Sequence, residues 1–485
     1  MCTRSSTICG AIRRPRGCGS SAVLGRTGRL RAPRIRPRSI RADDGGGTHP
    51  MMKSAVTPQH LARHIEYLCR EAGVRLAGTG GEKKAADYAT AEFSAAGADA
   101  SVETFPVKSR AVTEERLEVC LDGAWRTYPC SLFSSTPGTD GRPVEAPLVF
   151  FEAPAEQGRA DLSALRGKAV VHLGCHIESR EVYRRLIEAR PAFFMFVDVR
   201  YPGTRPRADG MFPAYTRDLG AVPVVNVAYR DAWEWCVRGA AAARLTVAGG
   251  MVGGVSQNVI AELRGDDRDG EILFLGAHHD TQADSVGADD NATGVAGLLE
   301  LARILAPLPR RRTIRLISFG AEEQLSVGSA EYVRARRAEI ARRGRLMFNL
   351  DSFGSWMGWN ELVANGPGAL CETVRAAFAG RGLGARIDGG IMPYADHFPF
   401  VAAGCPGVTL IRPNCTAGRF FHHQPDDDPS RVSCEGMARL LDAVADCIAD
   451  LAARAELPFE AKIPGDQARE AEKFWADLFG GWNPR

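Results

Sequence analysis

Between Ile272 and Tyr332 the chain carries three segments whose polar side chains follow or precede apolar runs: ILFLGAHHDT, GADDNATG and LISFGAEEQLSVGS. They contribute His278, Asp290 and the neighbouring pair Glu322 and Glu323. Imidazole nitrogens and carboxylate oxygens hold divalent zinc, and a further carboxylate beside such a site can take a proton from water. Asp351 in FNLDSFG and His423 in FHHQPDDD supply two more donors downstream. Five donors with an adjacent carboxylate point to hydrolysis at a pair of metal ions.

The local spacing separates roles. Side chains alternate along an extended strand, so His278 and Asp280 share a face while His279 points away. Asp280 is then placed to accept a hydrogen bond from the other ring nitrogen of His278 and fix its tautomer, and His279 is a bystander. Glu322 and Glu323 diverge at a strand end, so one can ligate while its neighbour leans over water.

These positions need a scaffold, and its elements are visible. Ile272–Gly276 is a continuous apolar run, the pattern of a parallel strand covered on both faces. Asn291–Leu305 reads as a helix with Val295, Leu298, Leu299, Ala302 and Leu305 along one stripe. Thr313–Phe319 is the next strand and Val327–Arg343 the next helix, stopped at Gly344. Leu346–Leu350 and Val408–Ile411 are further strands, and Val432–Ala452 is a closing helix. Ligands of open α/β sheets bind beyond the carboxyl ends of the strands. His278, the Glu322–Glu323 pair and Asp351 all stand there, and Asp290 precedes a helix at the positive end of its dipole.

The remainder divides around this scaffold. Two helical patterns in Pro58–Ala96 flank the turn-prone AGTGGE of Ala77–Glu82, and Asp99–Val107 reads as a strand. Residues 114–254 form an insert with its own strands at Leu165–Leu173, Pro191–Val197 and Ala221–Val227 and a helix at Arg180–Ala189. No chemistry-bearing cluster is expected in it; His172, Cys175 and His176 stand close together but read as packing. The expected architecture is α/β: a doubly wound, mostly parallel sheet built from residues 51–113 and 255–455, with a smaller α/β insert. Residues 1–50 are a basic leader, and 456–485 a tail with one amphipathic stretch, Gln467–Phe479.

Bulk properties narrow the class. A chain of 485 residues with 45% hydrophobic and 25% charged residues is that of a soluble globular protein of more than one domain. No apolar run reaches the roughly 20 residues that cross a bilayer. The thirteen cysteines include no C-x-x-C pair, so reduced thiols in a cytoplasmic protein are the simpler reading, with room for one or two disulfides. The net charge of +3 is misleading, because eleven arginines and no acid lie in residues 1–42, leaving 50 basic against 58 acidic side chains beyond them. The body is acidic, so charge gives no argument for nucleic-acid binding. The leader reads as sequence upstream of a true start at Met51 or Met52, as a disordered tail, or as a targeting segment; it has no secretory apolar core.

Taken in order, GAHHDT, GADDNATGVAGLLELAR, SFGAEEQLSVGS, NLDSFG, ADHFPF and FHHQPDDD resemble the co-catalytic zinc aminopeptidase family, which includes bacterial leucyl aminopeptidases and glutamate carboxypeptidases. The resemblance covers about Pro58–Asp99 and Ser256–Ala452. The insert resembles a protease-associated domain through GKAVV followed by VPVVNV. The resemblance implies two zinc ions per chain: His278 and Asp351 on one, Glu323 and His423 on the other, and Asp290 bridging both, its bond to Asn291 cis. It implies Glu322 as the general base. It prefers His423 to His422 because a carboxylate, here Asp427, follows the family's ligand by four residues. Asp396 and His397 match the family's DH pair, with packing as open a role for His397 as a functional one. Tyr394 stands two places from where some relatives carry a tyrosine, and reads either as a hydrogen-bond donor to the tetrahedral intermediate or as a structural residue. The implied activity is a metallo-exopeptidase acting on peptides, foremost an aminopeptidase, with a carboxypeptidase or N-acyl amino acid hydrolase as the alternative. A silent binding protein is disfavoured because no ligand is missing, and a single-zinc glutaminyl cyclase because His278 and Asp351 would then serve no second ion.

Overall fold

In the computed structural model, which describes residues 56–151, 161–177, 179–199, 203–266, 270–412 and 421–483, the apolar runs become neighbouring strands. The leader lies outside the described residues. Every residue of Ile272–His278 is buried. This strand runs parallel to Thr313–Phe319 on one side and Gly344–Leu350 on the other. Gly407–Ile411 continues the parallel set, and Glu361–Asn365 joins it antiparallel, with Arg386–Asp388 at the edge. Parallel neighbours need crossovers, and these cover both faces. Leu273 and Leu275 pack with Leu298 and Leu441 of the helices Thr293–Leu305 and Cys434–Ala453. Ile272 and Phe274 point the other way, onto Val333 and Phe400 of Val327–Arg343 and His397–Ala402. The sheet is doubly wound, as the alternation demands.

A long antiparallel ribbon carries the chain into and out of the insert. Asp99–Leu121 pairs with Ala242–Leu263 from Asp99↔Glu262 to Cys120↔Ala242, interrupted by one bulge between Val112 and Glu114. Gly249, opposite the bulge, has φ +85°, and a Cβ there would lie 2.1 Å from the Ala111 carbonyl oxygen. Only glycine lets the two backbones approach so closely. One end of the ribbon pairs with Thr313–Phe319 and the other, through Val144↔Leu245, with Val144–Phe151. From there a second sheet runs through Ala169–Leu173, Phe193–Val197 and Val224–Asn226, all parallel, to Ser131–Leu132 at its edge. Residues 114 and 254, expected as the limits of the insert, therefore lie on paired strands, and the strand expected to end at Val107 runs on to Leu121. The C-terminal stretch is a helix, Gly465–Leu478, whose Trp475 is buried against Phe398 and Phe479. The Tyr215 hydroxyl of the insert donates to Asp477 at 3.0 Å. Among the described residues no helix is long and apolar enough to cross a membrane, and the nine described cysteines are unpaired.

A buried ion cluster ties the first helix, Pro58–Glu66, to Thr293–Leu305. Glu300, only 1% exposed, lies 2.8 Å from Arg303, 3.3 Å from His60 and 3.9 Å from His64. Burial opposes its charge, but the hydrogen bonds from Arg303 and His64 outweigh it and hold the carboxyl at about 2. A carboxyl depressed in the folded state stabilises above its unfolded value and loses that contribution as pH falls through the folded one. Glu300→Gln is expected to cost about 2 kcal/mol at pH 7, measured by urea unfolding. The gap from the parent should close as pH falls from 4.5 toward 2.

Candidate metal centre

The donors leave the sheet at its carboxyl edge. His278 ends its strand, Glu322–Gln324 is a tight turn after Thr313–Phe319, and Asp351 follows Gly344–Leu350. Asp290 sits in the turn Ala288–Ala292 that feeds Thr293–Leu305, with a non-helical backbone, and its bond to Asn291 is cis. Asp290 stands in the middle of the group. Its Oδ1 lies 3.1 Å from His278 Nε2 and its Oδ2 3.4 Å from His423 Nε2. His278 Nε2 is also 3.7 Å from Asp351 and 3.9 Å from Glu322, while His423 Nε2 is 3.0 Å from Glu323. Two donor sets thus share one carboxylate. His422 stacks on His423 at 3.6 Å and brings its Nδ1 within 2.8 Å of Asp290, so both histidines of the pair reach the bridging position, and His423 reaches Glu323 as well.

Crowding shapes the protonation of the group. Burial, then repulsion from Asp396, Asp351 and Glu323, pushes Glu322 well above the usual carboxylate range despite the opposing His278. Burial likewise raises Glu323 and Asp396 to about 7. His278 and His423 are held well above the ordinary histidine value: burial works against their charge, but Glu322 beside the first and Glu323 beside the second overcome it. Glu323 Oε1 is buried with no hydrogen-bond partner among the described residues. Oxygen and imidazole donors in acidic surplus, one of them unsatisfied, fit divalent zinc.

A frame of polar contacts sets these donors in place. His278 Nδ1 lies 3.2 Å from the carbonyl oxygen of Asp280 and 3.5 Å from its carboxylate, so the backbone oxygen is the nearer acceptor and leaves Nε2 toward Asp290. The Asp280 carboxylate instead accepts from the N–H groups of Glu322 and Glu323 at 2.9 and 3.2 Å. It anchors the glutamate turn, a task the strand alternation did not reveal. His279 points away as expected, 2.9 Å from Ser318 Oγ, and burial lowers it to about 4. Asp427 accepts from the N–H groups of Asp289 and Asp290 at 2.9 and 3.1 Å. Glu82, from the AGTGGE turn, accepts from Ser256 Oγ at 2.6 Å and from the Ala321 N–H at 3.2 Å. His397 is buried between Asn365 and Thr409, at 3.2 and 2.6 Å, and burial takes it to about 3: it packs the core.

Arg75 is the residue that sequence reasoning missed most completely. It is fully buried, and its guanidinium donates to the carbonyl oxygens of Leu68, Gly73, His279, Val286 and Gly287. It therefore clamps the segment after His278 to the segment before Asp290. Gly287 in that segment has φ +51°, and a Cβ would lie 2.1 Å from the Asp290 carbonyl oxygen.

The donors line a cavity of about 380 Å³. Its other wall includes Met211, Phe212 and His176 from the insert, with Leu325 and Tyr394. The Tyr394 ring lies parallel to those of His176 and Phe212, at 6.0 and 6.3 Å. The insert, expected to hold no chemistry-bearing cluster, thus forms part of the site. Of its histidines, His172 stacks on Phe196 at 4.3 Å, a packing role, whereas His176 faces the cavity.

Residues 258–448 match the model of Peptidase family M28. Aminopeptidase YwaD of Bacillus subtilis is 26% identical over 411 residues, covering 82% of this chain and 86% of its own. The aminopeptidase from Aneurinibacillus sp. strain AM-1 has a similar structure, with TM-score 0.65 at 25% identity over 84% of this chain and 96% of that one. The zinc aminopeptidase BSAP from Bacillus subtilis has a TM-score of 0.68 at 23% identity, over 86% of this chain and all of its own; that likeness speaks for the fold.

Arg75→Met removes a donor from five carbonyl groups, of which those of Leu68 and Gly287 keep a backbone N–H, and leaves that of His279 buried without its guanidinium partner; it is expected to destabilise the protein by about 3 kcal/mol, read from urea unfolding. Arg75→Lys should recover little, because an ammonium cannot span the same acceptors.

Proposed function

We propose that the chain, whose residues 258–448 match the model of Peptidase family M28, is a zinc-dependent aminopeptidase that uses two zinc ions per chain to release N-terminal residues from peptides. The observation that carries this reading is Asp290, whose two oxygens each face a different histidine, His278 and His423. In this reading His278 and Asp351 hold one ion, Glu323 and His423 the other, and Asp290 both. Bound zinc supplies a lowered water pKa and polarisation of the scissile carbonyl.

The chain's own groups then divide the work. Glu322 accepts from Ser326 Oγ at 3.1 Å through one oxygen and directs the other toward His278. It takes a proton from the attacking water and delivers it to the leaving amine, the task its place beside the two donor sets suits. Asp280 holds both the His278 ring and the glutamate turn. Tyr394, on the far wall, donates a hydrogen bond to the oxyanion. A neutral α-amine is a nitrogen donor that an ion held by Glu323 and His423 would accept, which favours removal of N-terminal residues. Arg207 and Arg412 also line the cavity and are what a C-terminal carboxylate would meet, the observation on the side of a carboxypeptidase. Both are engaged, Arg207 with Asp198 at 3.3 Å and Arg412 with Asn360 at 2.6 Å. Residues 114–254 are read as a protease-associated-like insert, supported by four parallel strands at its centre.

Glu322→Gln should keep its zinc and lose turnover by about 10²–10⁴-fold; an active, metal-loaded variant removes Glu322 from the mechanism. Metal analysis should find two zinc ions per chain, with activity lost on chelation. Against a panel of free and N-blocked aminoacyl amides, hydrolysis should be confined to the free amines. Preference for the blocked members would transfer the site to the acyl-hydrolase alternative.

A further inference from the structure

His423 has φ +57°, a left-handed backbone that a side chain with a Cβ seldom adopts unaided. Something must hold it, because this conformation aims the ring at Glu323 and Asp290. On one side the hold comes from within the peptidase sheet: Asp427 receives the N–H groups of Asp289 and Asp290, and the Ala288 N–H donates to the Asp427 carbonyl at 3.2 Å. On the other side it comes from the insert. The Ala208 N–H donates to the carbonyl oxygen of His423 at 3.0 Å.

The donor is rigidly placed. The Ser134 N–H donates to the Asp209 carbonyl at 2.9 Å, and the Met211 N–H to the Ser134 carbonyl at 3.0 Å. These bonds seat the segment at the end of the insert's edge strand. Arg207, 8% exposed, pairs with Asp198 at 3.3 Å. Gly210 sits against Ser134 so closely that a Cβ would fall 2.0 Å from its Oγ. Arg205, just upstream, lies 3.9 Å from Asp426 of the His423 loop.

We propose that the insert is a working part of the metal centre: its Arg207–Met211 segment, through the Ala208 N–H, sets the backbone of His423 and thereby the affinity for the ion held by His423 and Glu323. This rests on the two-metal reading given above. Ala208 is a positioning residue, acting through the carbonyl of His423 rather than on substrate.

The test is titration of zinc into the metal-free full-length chain in competition with a chromophoric chelator. Ala208→Gly keeps the N–H and should bind two ions with the parent's affinities. Ala208→Pro lacks the N–H, and Gly210→Val sets a branched side chain against Ser134, whose Cβ would lie only 3.3 Å from the added Cβ, so that turning the Ser134 hydroxyl aside does not clear it and the segment must shift. In both, one of the two sites should weaken by about 10–100-fold while the other holds. Thermal unfolding of each variant identifies the folded ones, and Gly210→Val decides the matter if Ala208→Pro does not fold. Parent-like affinity at both sites in these variants would overturn the inference alone. A parent that binds fewer than two ions would overturn the two-metal reading and take the inference with it.

Discussion

Everything at the carboxyl edge of the sheet depends on how a crowd of buried carboxylates is kept there. Asp290, Glu322, Glu323 and Asp351 are drawn together around two histidines, where low dielectric magnifies their repulsion. The surrounding structure answers with fixed donors. Asp280 and Asp427, set behind the ligands, are occupied by backbone N–H groups. Arg75 adds a cation that donates to five carbonyl oxygens while its charge acts on Asp280, Asp427 and Asp290. The oxygens turned to the cavity are the ones left for added positive charge. The fold stabilises an anionic pocket by satisfying its outer layer and leaving its inner layer in need.

Much of this was legible in the chain. Thr313–Phe319 and Val327–Arg343 form as expected, residue for residue, because an apolar run between polar turns admits one reading, as does a helix stopped by glycine. Several donors stood out for the same reason: His278, the Glu322–Glu323 pair and Asp351 are polar residues that close apolar runs. Less legible was the start of the next helix, expected at Asn291 and formed at Thr293, because Asp290 and Asn291 adopt a non-helical backbone that aims a ligand. The ribbon beyond Val107 has no buried residue from Arg110 to Arg116, and a period of two returns only at Leu117, Val119 and Leu121. Arg75 could not be read at all, since its partners are backbone carbonyls and every residue has one.

The insert shows a different limit. Met211 and Phe212 are ordinary apolar residues by sequence, and Ala208 contributes only an N–H. Their importance lies in what faces them far along the chain, Tyr394 beside Phe212 and His423 beside Ala208, a relation set by topology. The terminal helix illustrates the same point: its Trp475 packs on Phe398 while Asp477 receives Tyr215 of the insert, so an amphipathic stretch at the chain end braces the two sheets against each other.

The ribbon that joins those sheets has no linker within it. Pairing is continuous from Asp99↔Glu262 to Cys120↔Ala242 save for a single bulge, and a twisted two-stranded ladder resists hinging far more than a peptide segment does. The insert's wall of the cavity is accordingly carried on paired strands where the chain enters it and where it leaves. Any ligand in the cavity must therefore lie between two separately folded layers, with the donors on one side and Met211 and Phe212 of the insert among its other neighbours.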